Sequence, residues 1–94
     1  TETTTHMEAL FRNVSGLFIQ AIKLAPYLPD ELQATVVNVT DPAKLSYLVA
    51  ANLNIDIPEK QRALEENSVR KRLEMLSSLL SRELEILELG NKIQ

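Results

Sequence analysis

Apolar side chains recur every three or four positions through the first quarter of the chain, which is the spacing of one face of a helix. We therefore predict a first helix over residues 5–25. Pro26 and Pro29 end it, because the residue before a proline is driven away from helical backbone angles. The expected core face consists of Met7, Phe11, Val14, Phe18, Ala21, Ile22 and Ala25, widened by Leu10, Leu17 and Leu24.

A short second helix is predicted over residues 30–38. Asp30 is placed to cap it, and its expected core contacts are Leu32, Val36 and Val37. Three consecutive β-branched residues, at positions 35–37, disfavour a helix because their side chains lose rotamer freedom there. A lone strand would have no partner strand, however, so the pattern favours the helix.

The sequence Asp41-Pro42 marks the start of a third helix. The aspartate carboxylate can accept backbone N–H groups of the first turn, and proline has no N–H that needs a partner there. We predict a helix over residues 42–52. Its expected core residues are Leu45, Leu48 and Val49.

A loop is predicted over residues 52–57, where two isoleucines alternate with polar residues but are too few to form a sheet. Pro58 then opens a fourth helix, predicted through residue 66, with Leu64 facing the core. Either Asn67 or Ser68 is expected to cap the last helix, because both side chains accept backbone N–H groups.

The last helix, predicted from Ser68 to at least Leu89, carries two apolar rows on roughly opposite sides. The first stripe consists of Val69, Leu73, Leu76, Leu80, Leu84 and Leu87. The second stripe consists of Met75, Leu79, Ile86, Leu89 and Ile93. Arg82 occupies the position at which the heptad-like spacing of the second stripe requires an apolar residue. The polar residues between the stripes are expected to be solvated.

A helix with two apolar sides is either central to a bundle or shared between the bundle and another molecule. We interpret the second stripe together with Arg82 as a candidate protein-interaction surface, because unfolded proteins expose apolar segments that need an apolar receptor. In an alternative interpretation, the second stripe packs on the first helix or on another part of a longer chain. Self-association through the heptad-like row is a third interpretation, with Arg82 limiting how closely two copies pair.

Composition supports an all-α fold. Apolar residues make up 45% of the 94 residues, and only two glycines and four prolines interrupt them. Such a composition favours helix over sheet. We predict a bundle of about five helices with a long C-terminal helix, formed by residues 7–94 as a single domain. Residues 1–6 are predicted to be a polar linker or the remnant of a cloning junction.

Charge and cysteine content exclude several classes of protein. The net charge is -3, and no basic face of the kind that binds nucleic acid is evident. Cysteine is absent, which excludes disulfides and zinc-cysteine sites and fits a cytoplasmic protein. No apolar run approaches the length that spans a bilayer, so no membrane association is expected.

Residues typical of catalysis or cofactor binding are also lacking. Gly16 and Gly90 are isolated, so no phosphate-binding loop is present. His6 is the only histidine and lies in a stretch that is expected to fray. The serines have neither a histidine partner nor a glycine-bearing elbow. We predict no catalytic, cofactor-binding or metal-binding residue in this segment.

Two clusters of charge are interpreted as helix surface. Glu65-Glu66 and the acidic run at positions 83, 85 and 88 are expected to be solvated, because carboxylate-based sites need carboxylates that converge from different elements. Arg70-Lys71-Arg72 is a short basic run next to glutamates, and we interpret it as salt-bridged helix surface.

Seven short segments of the chain form an ordered set, although each segment alone is generic. They are Met7-Glu8-Ala9-Leu10-Phe11-Arg12-Asn13-Val14, Asp41-Pro42-Ala43-Lys44-Leu45, Glu59-Lys60-Gln61, Arg72-Leu73, Leu79-Leu80, Arg82-Glu83-Leu84-Glu85-Ile86-Leu87 and Lys92-Ile93. In order and spacing, over nearly the whole chain, the set resembles the Lon protease family in the region between its small β-rich subdomain and its ATPase module.

The resemblance implies a parent enzyme, a homohexameric ATP-dependent serine protease of the AAA+ class that degrades misfolded proteins in the cytoplasm. In that family the N-terminal region selects unfolded or damaged protein substrates and supports the hexamer. The nucleotide site for ATP and Mg²⁺ and the catalytic serine-lysine pair lie downstream, and no position here matches them. The segment is therefore expected to be a non-catalytic substrate-recognition and coupling subdomain.

The sequence is also compatible with a second class of function. Eukaryotic proteins with a Lon-like N-terminal region, such as the cereblon group, use the helical part to dock a ubiquitin-ligase partner. The alternative prediction is thus a protein-protein adaptor bundle without a proteolytic role. A phosphate-binding loop further along the full-length chain would distinguish the protease from the adaptor.

Overall fold

A computed structural model of the chain describes residues 2–93, with side chains for residues 4–91. Within that part of the chain the backbone forms helices and no strand, so the prediction of an all-α bundle is confirmed. The helices are α1 (Glu2–Leu24), α2 (Leu32–Asn38), α3 (Pro42–Asn52), α4 (Ile57–Glu65) and α5 (Val69–Ile93). None of them is both long enough and apolar enough to cross a membrane.

The two long helices, α1 and α5, lie side by side and run in the same direction. Midway along them, Ser77 Oγ donates a hydrogen bond to Asn13 Oδ1 at 2.8 Å. Near their C-terminal ends, Leu24 of α1 and Leu87 of α5 line the same groove. Parallel neighbours cannot be joined by a short turn, so α2, α3 and α4 form the connection that brings the chain back to the start of α5.

The core lies where these helices meet. The first stripe of α5 is confirmed as its core face, because Leu73, Leu76 and Leu80 are fully buried. From α1, Val14 and Phe18 are also fully buried. The remaining buried apolar residues are Ala21, Ile22, Ala25, Leu28, Val36, Leu45, Val49, Ala50, Leu53, Ala63 and Leu84.

Two predicted helix caps are confirmed. Asp41 Oδ1 accepts a hydrogen bond from the backbone N–H of Ala43 at 3.0 Å, and α3 has the predicted bounds. Ser68 rather than Asn67 caps α5, because Ser68 Oγ accepts the backbone N–H of Lys71 at 3.2 Å. In both cases a side-chain oxygen satisfies an N–H group that has no partner within the helix.

The predicted start of the first helix and two predictions for α2 need correction. Helix α1 already begins at Glu2, because adding turns to an existing helix is easy once it has nucleated. Asp30 does not cap α2, since it is the backbone carbonyl of Asp30 that accepts the N–H of Gln33 in the preceding turn. Val37 is 70% exposed, because it points about 100° away from its buried neighbour Val36.

Helix α4 also differs from its prediction. It begins at Ile57, one residue early, because Asp56 Oδ1 caps it by accepting the N–H of Glu59 at 2.9 Å. Leu64 is 41% exposed, and its neighbour Ala63 is the buried residue instead. Successive residues of a helix point about 100° apart, so the burial of Ala63 turns Leu64 away from the core.

Candidate protein-interaction surface

The structure divides the second stripe of α5 into two parts. Met75 and Leu79 are half-buried and pack against the core, and we call them the covered half. Ile86 and Leu89 are 59% and 60% exposed, and we call them the open half. The side chain of Ile93 lies outside the described residues.

The division follows from the position of α4. The carbonyl of Ala63, near the end of α4, accepts a hydrogen bond from Arg72 near the start of α5. Glu59, near the start of α4, contacts Arg82 two to three turns further along α5. Helix α4 therefore runs antiparallel to α5 and begins at the level of Arg82, which leaves Ile86 and Leu89 of the second stripe uncovered.

A shallow groove of about 290 Å³ runs between α4 and the covered half. Glu59 and Arg62 line it from α4, and Met75, Ser78 and Leu79 line it from α5. Another groove, of about 370 Å³, lies beside the open half at the end of the bundle. Its lining residues are Leu24, Pro26, Ile86, Leu87, Gly90 and Asn91. Both grooves are open clefts that fit side chains of a partner rather than a deeply enclosed small molecule.

Arg82 forms a two-pronged ion pair with Glu59 at the boundary between the two halves. Arg82 Nη2 lies 2.8 Å from Glu59 Oε1, and Arg82 Nη1 lies 3.2 Å from Glu59 Oε2. The hydrogen bonding of the Arg82 guanidinium to the Glu59 carboxylate is the largest cause that raises the pKa of Arg82 above its usual value. Because the Arg82 side chain is 53% exposed, the pair contributes little to stability and serves chiefly to position α4 against α5.

Arg72 was predicted to be part of a salt-bridged surface, and that prediction is wrong. It is only 3% exposed. Its guanidinium donates to the carbonyl of Ala63 at 3.0 Å, to Ser46 Oγ at 2.9 Å and to the carbonyl of Glu66. The guanidinium carbon also lies 4.4 Å from the ring centre of Tyr47. One side chain thus joins α3, the end of α4 and the start of α5.

The sequence contained one sign that Arg72 differs from the other two cations of the basic run. On a helix, Arg72 lies one turn before Met75 and next to Leu73, at the edge of the apolar sector. Arg70 and Lys71 point towards solvent and are exposed, as predicted. A basic side chain at such an edge can place its guanidinium inside the bundle if backbone carbonyls are available there.

Glu83 was predicted to lie on the solvated surface, and it is buried instead. Tyr27, in the loop between α1 and α2, donates its phenol hydrogen to Glu83 Oε2 at 2.7 Å. Burial raises the pKa of Tyr27 well above its usual value, and the hydrogen bond to Glu83 adds to the effect. This contact holds the loop after α1 against α5, about one helical turn before Ile86 of the open half.

We expect Tyr27→Phe to lower the free energy of unfolding by about 1 kcal/mol at pH 7, since Glu83 loses its donor while Tyr27 is half-exposed. The raised pKa favours the neutral phenol in the folded state. Its contribution is therefore complete below the unfolded pKa of about 10 and is lost as the pH rises through the folded pKa. Urea titrations from pH 7 to 11 should show the difference between the two proteins shrinking above about pH 10.

The matched control for this prediction is Tyr47→Phe. It removes a hydroxyl that makes no hydrogen bond to the described residues, so the expected change is within about 0.5 kcal/mol. A difference between Tyr27→Phe and the unaltered protein that stays constant up to pH 11 would contradict the role given to the phenol.

Residues 4–91 hold no group of three or more histidine, cysteine, aspartate or glutamate side chains arranged to bind a metal ion. His6 is exposed on the first turns of α1. What the described residues do bring together is therefore an apolar surface, divided by one ion pair and bordered by charged side chains.

Residues 1–82 match the family model of the ATP-dependent protease La (LON) substrate-binding domain. The chain belongs to this family. It is 42% identical over 93 residues to a Lon protease of Dictyoglomus thermophilum, with 99% of the chain covered, and 41% identical over 88 residues to a Lon protease of Syntrophus aciditrophicus, with 94% covered. The resemblance seen in the sequence is thereby confirmed.

The relatives are much longer than this chain. The alignments span 12% of the Dictyoglomus Lon protease and 11% of the Syntrophus one. A third Lon protease, from Syntrophomonas wolfei, is 41% identical over 87 residues, covering 93% of the chain and 11% of its own length. The chain thus corresponds to roughly a tenth of a Lon protease, and its residues 1–82 match the Lon substrate-binding domain.

Proposed function

We propose that this bundle is the non-catalytic substrate-recognition and coupling element of a Lon-type ATP-dependent serine protease. It receives segments of unfolded or damaged proteins on the second stripe of α5. The observation that carries the proposal is the open half, where Ile86 and Leu89 lie more than half exposed on one face of a helix. Unfolded chains differ from folded ones chiefly in their exposed apolar side chains, which such a surface binds.

The same proposal assigns the chemical steps to the rest of the parent protein. ATP, Mg²⁺ and the serine-lysine pair belong to modules downstream, in a cytoplasmic homohexamer. The 25 residues of α5 span about 37 Å, which is comparable to the diameter of a small domain. A movement of the helix can therefore shift a bound segment relative to a module at that distance. We propose in addition that this element supports the hexamer.

The test is a binding titration with the double variant Ile86→Asp/Leu89→Asp. The unaltered chain should bind a fluorescently labelled, permanently unfolded protein saturably and a compact folded protein weakly, as followed by anisotropy. We expect the double variant to bind at least about tenfold more weakly, because buried apolar contacts of this size contribute about 1.4 kcal/mol or more. Both positions are exposed, so the fold should persist, which far-UV circular dichroism will show.

The control is Val37→Asp, which places a single aspartate at an exposed apolar residue of α2. Val37→Asp should leave the affinity for the unfolded protein unchanged. Equal affinities of the double variant and the unaltered chain would reject the open half as the binding surface. No binding by the unaltered chain, with its helices intact, would reject substrate recognition by this bundle.

A further inference from the structure

We propose that the open half selects segments that combine apolar with cationic side chains, rather than apolar segments in general. This inference rests on the proposed function and names the class of substrate that the same surface prefers. It is carried by the acidic side chains that surround Ile86 and Leu89 in the folded bundle.

The apolar part of the surface is small but continuous. Ile86 and Leu89 are three residues apart and therefore about 60° apart around α5, so one face presents both. The groove lined by Leu24, Pro26 and Gly90 continues it around the end of the bundle. Two or three apolar side chains of an extended or helical segment fit on such a surface, which provides affinity without strong selectivity.

Acidic groups border this apolar face. Glu85 and Glu88 are exposed on α5 next to Leu89, and neither forms an ion pair with the side chains that the structure describes. At the other border, Arg82 interacts electrostatically with Glu59, Asp56 and Glu83.

From position 83 to the end of the chain, three glutamates stand against the single cation Lys92. The one guanidinium at the border, that of Arg82, is already paired with Glu59. Glu83 is buried, so a substrate that contacts α5 at the open half meets the two exposed carboxylates of Glu85 and Glu88, while the exposed cation Lys23 lies on α1 next to Leu24.

The negative charge is local to this end of α5. At the other end of the helix, Arg70 and Lys71 are exposed, and Arg62 borders the groove along the covered half. The net charge of the whole chain is only -3, so a general attraction of cations is not expected. The charge of a substrate segment should therefore decide which end of α5 it binds, in addition to how tightly it binds.

Charges at the border of an apolar contact act mainly on selectivity and on the rate of association. Lysine or arginine side chains flanking the apolar residues of a substrate segment would approach Glu85 and Glu88 from solvent, whereas glutamates in the same places would be repelled. Because these groups are solvent-exposed, salt screens the effect, with a Debye length of about 8 Å at physiological ionic strength.

The experiment compares four labelled peptides of equal length with the full chain. Three carry leucine and phenylalanine at the same positions, with lysine, glutamate or serine between them, and the fourth carries lysine with serine at the apolar positions. At about 25 mM salt we expect the lysine-apolar peptide to bind at least about fivefold more tightly than the glutamate-apolar peptide. The lysine-serine peptide should bind weakly, and the preference should shrink at about 200 mM salt.

The site is tested with Glu85→Lys/Glu88→Lys, which should reverse the preference between the lysine and glutamate peptides. The matched control is Glu8→Lys/Glu74→Lys, which makes the same change in net charge at exposed positions away from the open half and should keep the original preference. All four substitutions are between good helix formers, so the bundle should remain folded.

The outcomes separate this inference from the proposed function. Equal binding of the lysine-apolar and glutamate-apolar peptides, with intact binding of an unfolded protein, would overturn the charge selection alone. A preference that survives Glu85→Lys/Glu88→Lys would overturn the assignment to the open half. A dimer of the unaltered chain in sedimentation, abolished by the same double variant, would overturn it in favour of pairing with a second copy. Absence of binding by every probe would overturn the proposed function itself.

Discussion

Arg72→Ala should lower the free energy of unfolding by about 3 kcal/mol, because it removes a buried guanidinium that satisfies three acceptors at once. Two of these acceptors are the carbonyls of Ala63 and Glu66 at the end of α4, and the third is Ser46 Oγ on α3. Alanine would leave these groups without a donor and would open a cavity above the ring of Tyr47. For a chain of this size, such a loss is a large fraction of a total of roughly 5–10 kcal/mol.

Two further substitutions make the Arg72 prediction specific. Arg70→Ala removes the same side chain from an exposed position two residues earlier and should change stability by no more than about 0.5 kcal/mol. Arg72→Lys keeps the charge but lacks the planar fork, so an intermediate loss is expected. Urea unfolding followed by circular dichroism measures all three. A loss below about 1 kcal/mol for Arg72→Ala would contradict this prediction, because it would show that water satisfies the three acceptors nearly as well as the guanidinium does.

Leu80→Ala is expected to destabilise the bundle by about 3 kcal/mol, because Leu80 is fully buried in the first stripe and its truncation leaves a cavity between α5 and its neighbours. The loss combines the lost transfer free energy of the removed atoms with the contacts that surrounding side chains no longer make. Unfolding by urea or heat measures it, with an unchanged urea dependence showing that the transition remains two-state.

The matched control is Leu89→Ala, the same substitution in the open half of the second stripe of the same helix. Because Leu89 is mostly exposed, we expect its loss to be no more than about 0.5 kcal/mol, while binding of an unfolded protein weakens. Comparable destabilisation by both substitutions would mean that Leu89 is packed against the bundle in solution, and the open half would not be available to a partner.

The two stripes of α5 show why one face could be assigned from sequence and the other could not. The first stripe was identified correctly, because six apolar residues at helical spacing must be buried and so small a domain has a single core in which to bury them. For the second stripe, periodicity showed only that Met75, Leu79, Ile86 and Leu89 share a side. Burial of the first two and exposure of the last two depend on where α4 starts.

The same contrast holds for single charged residues. Asp41 was correctly predicted as a cap because capping joins neighbours in sequence, here Asp41 and Ala43. Glu83 was wrongly placed on the surface because its partner, Tyr27, lies 56 residues away in the chain. A pattern read along one helix contains no information about such a partner.

The amino-acid sequence by itself determined the order and nature of the helices, two of the caps, the core face of α5 and the membership in the Lon substrate-binding domain family. These follow from prolines, capping residues and apolar periodicity, all of which act over a few neighbouring residues. Only the tertiary structure decided that Arg72 and Glu83 are buried and that the second stripe is divided at Arg82. Those features depend on how α4 and the loop after α1 lie against α5, and packing between distant segments sets that arrangement.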